Sequence, residues 1–232
     1  MSEKIKFFID GVEVEAKNDE SIWQVAKRNG KTLPHLCYAD KPGYRADGNC
    51  RACMVSIEGE RVLAASCIRK PSEGMKVYTD DERSSKSRQM VLELLVTDQP
   101  KKSLAHDPDS HFWKMAEKVN IENSRFDKRE QKTIPKSDVS NKAMSVNLDA
   151  CIHCNLCVRA CREVQVNDVI GMGMRGHTSK VIFDFDDPMG DSTCVSCGEC
   201  VQACPTGALM ESNLLDEKGI KKGKPDREVK SV

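Results

Sequence analysis

Residues 151–161, CIHCNLCVRAC, and residues 194–205, CVSCGECVQACP, are one pattern written twice, 43 positions apart. Each run places three cysteines at x2 spacing and a fourth after a gap of three: Cys151, Cys154, Cys157 and Cys161, then Cys194, Cys197, Cys200 and Cys204. A four-iron cube is held at its corners by thiolates. A C-x2-C-x2-C loop reaches three corners because its turning backbone aims successive sulfurs inwards, and the fourth corner needs a distant residue. Zinc is the competing reading, since it takes four thiolates tetrahedrally, but its sites are built from separated C-x2-C hooks.

In two-cluster ferredoxins the last cysteine of each run serves the other cluster. By that rule Cys151, Cys154, Cys157 and Cys204 hold one [4Fe–4S] cluster, and Cys194, Cys197, Cys200 and Cys161 hold the second. Pro205 turns the chain away after Cys204, whereas Cys161 is followed by Arg162 and departs from that detail. The remaining four cysteines lie upstream as Cys37-x12-Cys50-x2-Cys53-x13-Cys67. One ligand, a close pair and a distant fourth is the plant-type form of a [2Fe–2S] site, although the plant-type first gap is shorter. Gly43, Gly48 and Asn49 allow a loop to fold closely around sulfide, with backbone N–H groups free to donate to it. Arg51, Arg69, Lys70, Arg159 and Arg162 flank these ligands and are read either as charge partners of anionic clusters or as solvated surface; His153 is read as a tolerated loop residue.

The segments between the cysteines give an α+β chain. Ile5, Phe7 and Ile9 alternate, Asp10-Gly11 turns, and Val12 and Val14 return, a hairpin signature. A helix follows over 21–29, then strands over 53–58, 61–66 and 75–79, which together suggest a β-grasp domain over 1–80. Asp80 caps a helix to Thr97 with Met90, Val91, Leu94 and Leu95 as its core stripe, and a second helix spans 110–119. These form a helical connector over 81–123. Polar residues 124–143 read as a linker, 144–214 as the bacterial-ferredoxin-like 2[4Fe–4S] domain, and 215–232 as an extended tail.

Twelve cysteines among 232 residues, in tight clusters, are too few and too grouped for a secreted disulfide scaffold. No signal peptide or membrane-spanning run is legible, so a cytoplasmic, thiol-reducing setting is expected. Lys+Arg equals Asp+Glu at 36 each, which gives no electrostatic pointer to nucleic acid or membrane. The pair Gly171-Met172-Gly173 is too short for a nucleotide-binding fingerprint.

The stretches PHLCYADKPGYRADGNCRACMV, LDACIHCNLCVRACREVQVNDVIG and TCVSCGECVQACPTGALM resemble the N-terminal iron–sulfur region of the NAD-dependent molybdenum- or tungsten-containing formate dehydrogenase large subunit. That region is similar in turn to the complex I large peripheral subunit and the diaphorase small subunit of NAD-reducing hydrogenases. VQVNDVIG and FDFDDPMG favour the formate dehydrogenase branch. The resemblance implies a one-electron relay between a molybdopterin or tungstopterin catalytic partner and flavin/NAD-binding diaphorase subunits, with no substrate chemistry on the chain itself. A diaphorase small subunit of hydrogenase is the alternative, and a non-enzymatic iron–sulfur redox sensor is a third reading that lacks an evident reader surface.

Two departures from the resemblance matter. The complex I relatives carry a His-Pro-x-x-Cys element opening a further cluster; here the matching place reads Gln99-Pro100-Lys101-Lys102-Ser103, so no such cluster is expected, and His106 and His111 read as surface or capping histidines. The ending KPDREVKSV resembles the segment leading into the catalytic domain of the fused enzyme. The expectation is a separate subunit or a piece of a longer polypeptide, its tail docking on the catalytic partner.

Overall fold

A computed structural model describes residues 4–127 and 137–222. Most of the expected linker's centre and the end of the expected tail, residues 128–136 and 223–232, lie outside the described residues.

The hairpin forms as β1 (Ile5–Ile9) and β2 (Val12–Ala16), in the register Ile5↔Ala16 to Ile9↔Val12. Asp10 and Gly11 both take positive φ, 50° and 81°, the requirement of a two-residue turn matching strand twist. The Asp10 carboxylate then ties the turn to the end of the neighbouring parallel strand, accepting from the Thr79 amide at 2.7 Å, the Thr79 hydroxyl at 2.6 Å and Lys31 at 2.8 Å. Burial alone would raise its pKa, but those donors hold it below the ordinary carboxylate range. A depressed folded pKa contributes stability that is present above the unfolded value and lost as pH falls through the folded one. An Asp10→Asn chain is therefore expected to be less stable at neutral pH and to show a flatter acid limb, checked by denaturant midpoints from about pH 7 down to about pH 3.

Helix α1 (Ile22–Arg28) carries a capping box, Ser21 with Gln24, and ends on Asn29 and a left-handed Gly30. It buries Ile22, Trp23, Val25 and Ala26 on a five-stranded sheet of order β2-β1-β5-β3-β4, where β3 is Met54–Ile57, β4 Ala64–Ala65 and β5 Lys76–Tyr78. β1 and β5 run parallel and the other pairs antiparallel, and Phe7, Val25, Val55 and Val77 are fully buried between helix and sheet. β4 keeps only two of the six expected residues because the chain turns at 66–69 into the Cys67 loop: the amides of Ile68 and Arg69 both bond to the Ala65 carbonyl.

α2 (Glu82–Asp98) is capped by Asp81, one residue later than expected. Its buried face also differs from the expected stripe: Ser84, Arg88, Leu92, Glu93 and Val96 are buried, whereas Leu94 is half exposed. The shift has a polar cause. Arg88 donates to the Met54 carbonyl at 2.9 Å, and Glu93 accepts from the Arg125 amide at 3.0 Å, so two charged residues occupy positions that apolarity counting assigns to solvent. α3 (His111–Lys118), capped by Ser110, buries Phe112, Trp113 and Ala116. Leu92, Val96, Phe112, Trp113 and Ala116 make one core with Leu36 and Ala52 of the first domain, and both Cys50 and Ile152 pack against that core.

In the C-terminal part, β6 (Met144–Val146) pairs with β9 (Leu209–Glu211), and β7 (Ile170–Gly173) with β8 (Lys180–Phe183), all antiparallel. The two cysteine runs continue into short helices, α4 (Leu156–Arg159) prolonged by a π-helical turn over Ala160–Val164, and α5 (Glu199–Ala203). Gly173 lies in β7, where a Cβ would stand 2.7 Å from Ile182, so packing accounts for it without a nucleotide. The described end of the linker region is held to this domain: Asp138 bridges to Val146 and accepts from the Met189 amide at 2.6 Å.

Candidate metal centres

The repeat in sequence is a repeat in backbone geometry. His153 and Asn155 take φ of 52° and 61°, and the matching Ser196 and Gly198 take 55° and 79°. Left-handed residues alternating with right-handed ones turn amides towards the inside of a loop, a nest suited to anions. The first amide of each nest donates to the first sulfur: His153 N to Cys151 Sγ at 3.5 Å and Ser196 N to Cys194 Sγ at 3.4 Å. His153 is thus used through its backbone, with its ring exposed.

Cys151, Cys154, Cys157 and Cys204 line one cavity, walled by Leu148, Val181, Ala208 and Leu209. Cys161, Cys194, Cys197 and Cys200 line another, walled by Met144, Val169 and Ile170. The structure therefore brings the fourth cysteine of each run to the three of the other. Cys204 Sγ sits 3.6 Å from the Thr206 hydroxyl, and Cys161 Sγ accepts from the Val169 amide at 3.3 Å. Asn167 Nδ2 stands 3.9 Å from Cys197 Sγ.

In the N-terminal domain Cys37, Cys53 and Cys67 are buried and Cys50 is half-buried. Cys50 N donates to Cys37 Sγ at 3.4 Å and Ala52 N to Cys50 Sγ at 3.5 Å, with Arg51 between them at φ 56°. Gly48, at φ 64°, would push a Cβ to 2.9 Å from Ile68, so the loop closes on the residue after Cys67. Hydrogen bonds from Cys50 and Cys67 pull the Cys37 thiol down, and one from Cys67 pulls Cys53 down; Cys50 and Cys67 are pushed up in return. Four sulfurs within hydrogen-bonding reach cannot all be thiolates unless positive charge sits among them.

The same electrostatics governs the other two sets. Burial, then the neighbouring cysteines, pushes Cys200 up to about 12 and raises Cys154 and Cys157. Cys151 is raised to about 11 by burial first and Cys204 among the smaller causes. Soft thiolate donors with amides aimed at sulfur, in dry cages, fit polynuclear iron–sulfide groups, whose charge offsets that cost.

The basic residues divide. Arg69 pairs with Glu60 at 2.5 Å, Lys70 with Asp19 at 2.5 Å, and Arg162 with Asp168, all at the surface. Of the five flanking bases Arg159 alone is buried, donating through Nη2 to the Cys37 carbonyl at 2.7 Å. Two histidines correct the expectation of surface or capping roles. His106 is buried, its Nδ1 3.1 Å from the Gly207 carbonyl, and His111 Nε2 is 2.6 Å from the His35 carbonyl. Both have pKa values lowered by burial. Gln99, at the place of the relatives' histidine, is buried and donates to the Ala150 carbonyl at 3.2 Å. Sequence reading missed Tyr44, whose hydroxyl donates to Glu199 at 2.8 Å, and Asp47, paired with Arg159. Both lie in the loop 38–49, where the sequence marks only Gly43, Gly48 and Asn49.

With this geometry in view, residues 2–82 match the 2Fe-2S iron-sulfur cluster binding domain and residues 150–208 the 4Fe-4S dicluster domain. The chain is an iron–sulfur protein of α+β fold with one [2Fe–2S] and two [4Fe–4S] clusters. It is 34% identical over 226 residues to the NADP-reducing hydrogenase subunit HndD of Solidesulfovibrio fructosivorans, covering 95% of this chain and 38% of that one. It is 26% identical over 219 residues to the putative formate dehydrogenase SH0748 of Staphylococcus haemolyticus, covering 94% and 22%. The chain thus spans well under half the length of these curated relatives. A chain in the crystal structure of NAD+-reducing [NiFe]-hydrogenase in the H2-reduced state has the same fold, with TM-score 0.77, 24% identity, and 90% of this chain and 87% of that one covered. No helix among the described residues is long and apolar enough to cross a membrane.

Proposed function

We propose that this chain is the iron–sulfur electron-transfer component of an NAD-linked oxidoreductase, and that the oxidoreductase is an NAD-dependent formate dehydrogenase. Cys37, Cys50, Cys53 and Cys67 hold the binuclear group. Cys151, Cys154, Cys157 and Cys204 hold the first cube, and Cys194, Cys197, Cys200 and Cys161 the second. The domain limits read from sequence, 1–80, 81–123 and 144–214, belong to the same proposal. When bound, these groups supply storage and passage of single electrons between a metal–pterin partner and a flavin/NAD-binding partner.

The observation that carries the reading is the serial arrangement of the three cysteine sets. Arg159, on the helix that follows the first cube's loop, donates to the Cys37 carbonyl at 2.7 Å, and Cys157, Cys161 and Cys200 pack in one core, so neighbouring sets adjoin with the first cube in the middle. The connector core touching both Cys50 and Ile152 keeps the first junction dry and fixed. Everything the polypeptide does here is to hold, space and electrostatically bias.

Formate as the partner's substrate is supported by VQVNDVIG and FDFDDPMG and by the resemblance to the putative formate dehydrogenase. The greater identity to a hydrogenase subunit favours the second reading, a hydrogenase diaphorase component. Affinity isolation of the tagged chain from its native cells, under anaerobic conditions, separates them. Formate dehydrogenase predicts co-isolation of a molybdopterin or tungstopterin subunit and formate-dependent NAD+ reduction. A nickel–iron subunit with hydrogen-dependent reduction would overturn it.

A further inference from the structure

Arg159 closes α4, between Cys157 and Cys161, and its side chain is only 3% exposed. Nη2 donates to the carbonyl of Cys37, 122 residues earlier. Nη1 lies against the Asp47 carboxylate as an ion pair without hydrogen-bond alignment, and Nε also has no hydrogen-bond partner. Asp47, itself largely buried, pairs with Arg45 as well, and Arg45 reaches Glu163 at 3.1 Å. Charges of alternating sign therefore run from the buried junction outwards, two of them on the loop leading to Cys50 and two on the helix of the first cube.

A buried guanidinium is costly to desolvate, and an apolar side chain of similar size often serves packing as well or better. Only Nη2 meets an aligned hydrogen-bond acceptor, so hydrogen bonding alone does not account for the side chain. Its position does: a fixed positive charge beside the Cys37 backbone favours the more negative, reduced form of whatever Cys37 ligates, and the Asp47 carboxylate partly offsets it. We propose that Arg159 and Asp47 are a pair of positioning residues that set the reduction potential of the binuclear centre, and hence the direction of electron flow across its junction with the first cube. The inference rests on the reading that Cys37 is a ligand of that centre.

The test is an EPR-monitored redox titration of the whole chain, isolated anaerobically with its clusters, using dithionite and mediators. Arg159→Gln removes the buried positive charge, leaving Asp47 paired with the exposed Arg45 alone, and is expected to shift the reduction equilibrium of the binuclear centre at least tenfold towards the oxidised form, about 59 mV for one electron. Asp47→Asn is expected to shift it the opposite way, and Arg159→Lys to stay close to the parent. A merely structural role would move the first two in the same direction or broaden both. Equal signs, or potentials unmoved by both substitutions, overturn the proposal. If Arg159→Gln assembles no binuclear centre, the direction of the Asp47→Asn shift decides. A parent chain with no [2Fe–2S] signal would instead contradict the ligand reading, so the two failures are distinguishable.

Discussion

A Cys204→Ser chain is expected to lose or degrade the four-iron centre wrapped by residues 151–157 and to keep the one wrapped by 194–200, the loop it directly follows. Cys204 shares a cavity with Cys151, Cys154 and Cys157, and Cys161 shares one with Cys194, Cys197 and Cys200. Short helices α4 and α5 carry each fourth cysteine one helical turn beyond its own loop and deliver it to the opposite cage. The reduced EPR spectrum surviving in Cys204→Ser should superimpose on that of Cys154→Ser and differ from that of Cys197→Ser. Iron should fall by up to about four per chain, from about ten. A spectrum matching Cys197→Ser instead would mean that each run closes on itself.

The largest stability effect is expected at Phe112. It is fully buried in the core against which both Cys50 and Ile152 pack. Phe112→Ala removes its ring from that core and leaves a cavity in a region spanning both cluster-bearing domains, at a cost of about 3–5 kcal/mol. Its backbone amide, which donates to the Pro205 carbonyl at 2.8 Å, is untouched, so the loss reports packing. Leu94→Ala is the control: it lies in the stripe that apolarity counting assigns to the core, but it is half exposed and should change stability by no more than about 0.5 kcal/mol. The measurement is the denaturant concentration at which cluster absorbance is lost, under anaerobic conditions. Equal shifts for the two substitutions would contradict the packing described here.

Where local chemistry decides structure, the sequence was a sufficient guide. Asp10-Gly11 is a turn signal and forms that turn with two positive φ values, a helix runs between Ser21 and Gly30, and cysteines grouped by spacing line common cavities. What escaped is what depends on residues far apart. Arg88 and Glu93 are buried because Met54 and Arg125 offer them partners, and no helical period announces that. In sequence Arg159 is one of five flanking bases, and only the fold brings it within 2.7 Å of a carbonyl 122 residues away. His106 is buried for the same kind of reason, a backbone acceptor at Gly207. The left-handed backbone at His153 and Ser196 was equally illegible, since neither residue type favours it as glycine does.

Anaerobic quantification of iron, zinc and acid-labile sulfide, with EPR of the reduced protein, tests the central claim most directly. Three sulfide-containing groups held by these twelve cysteines predict about ten irons per chain, two at the binuclear site and four in each cube, with comparable sulfide. A colourless protein free of labile sulfide, its thiols zinc-loaded or paired as disulfides, would contradict it.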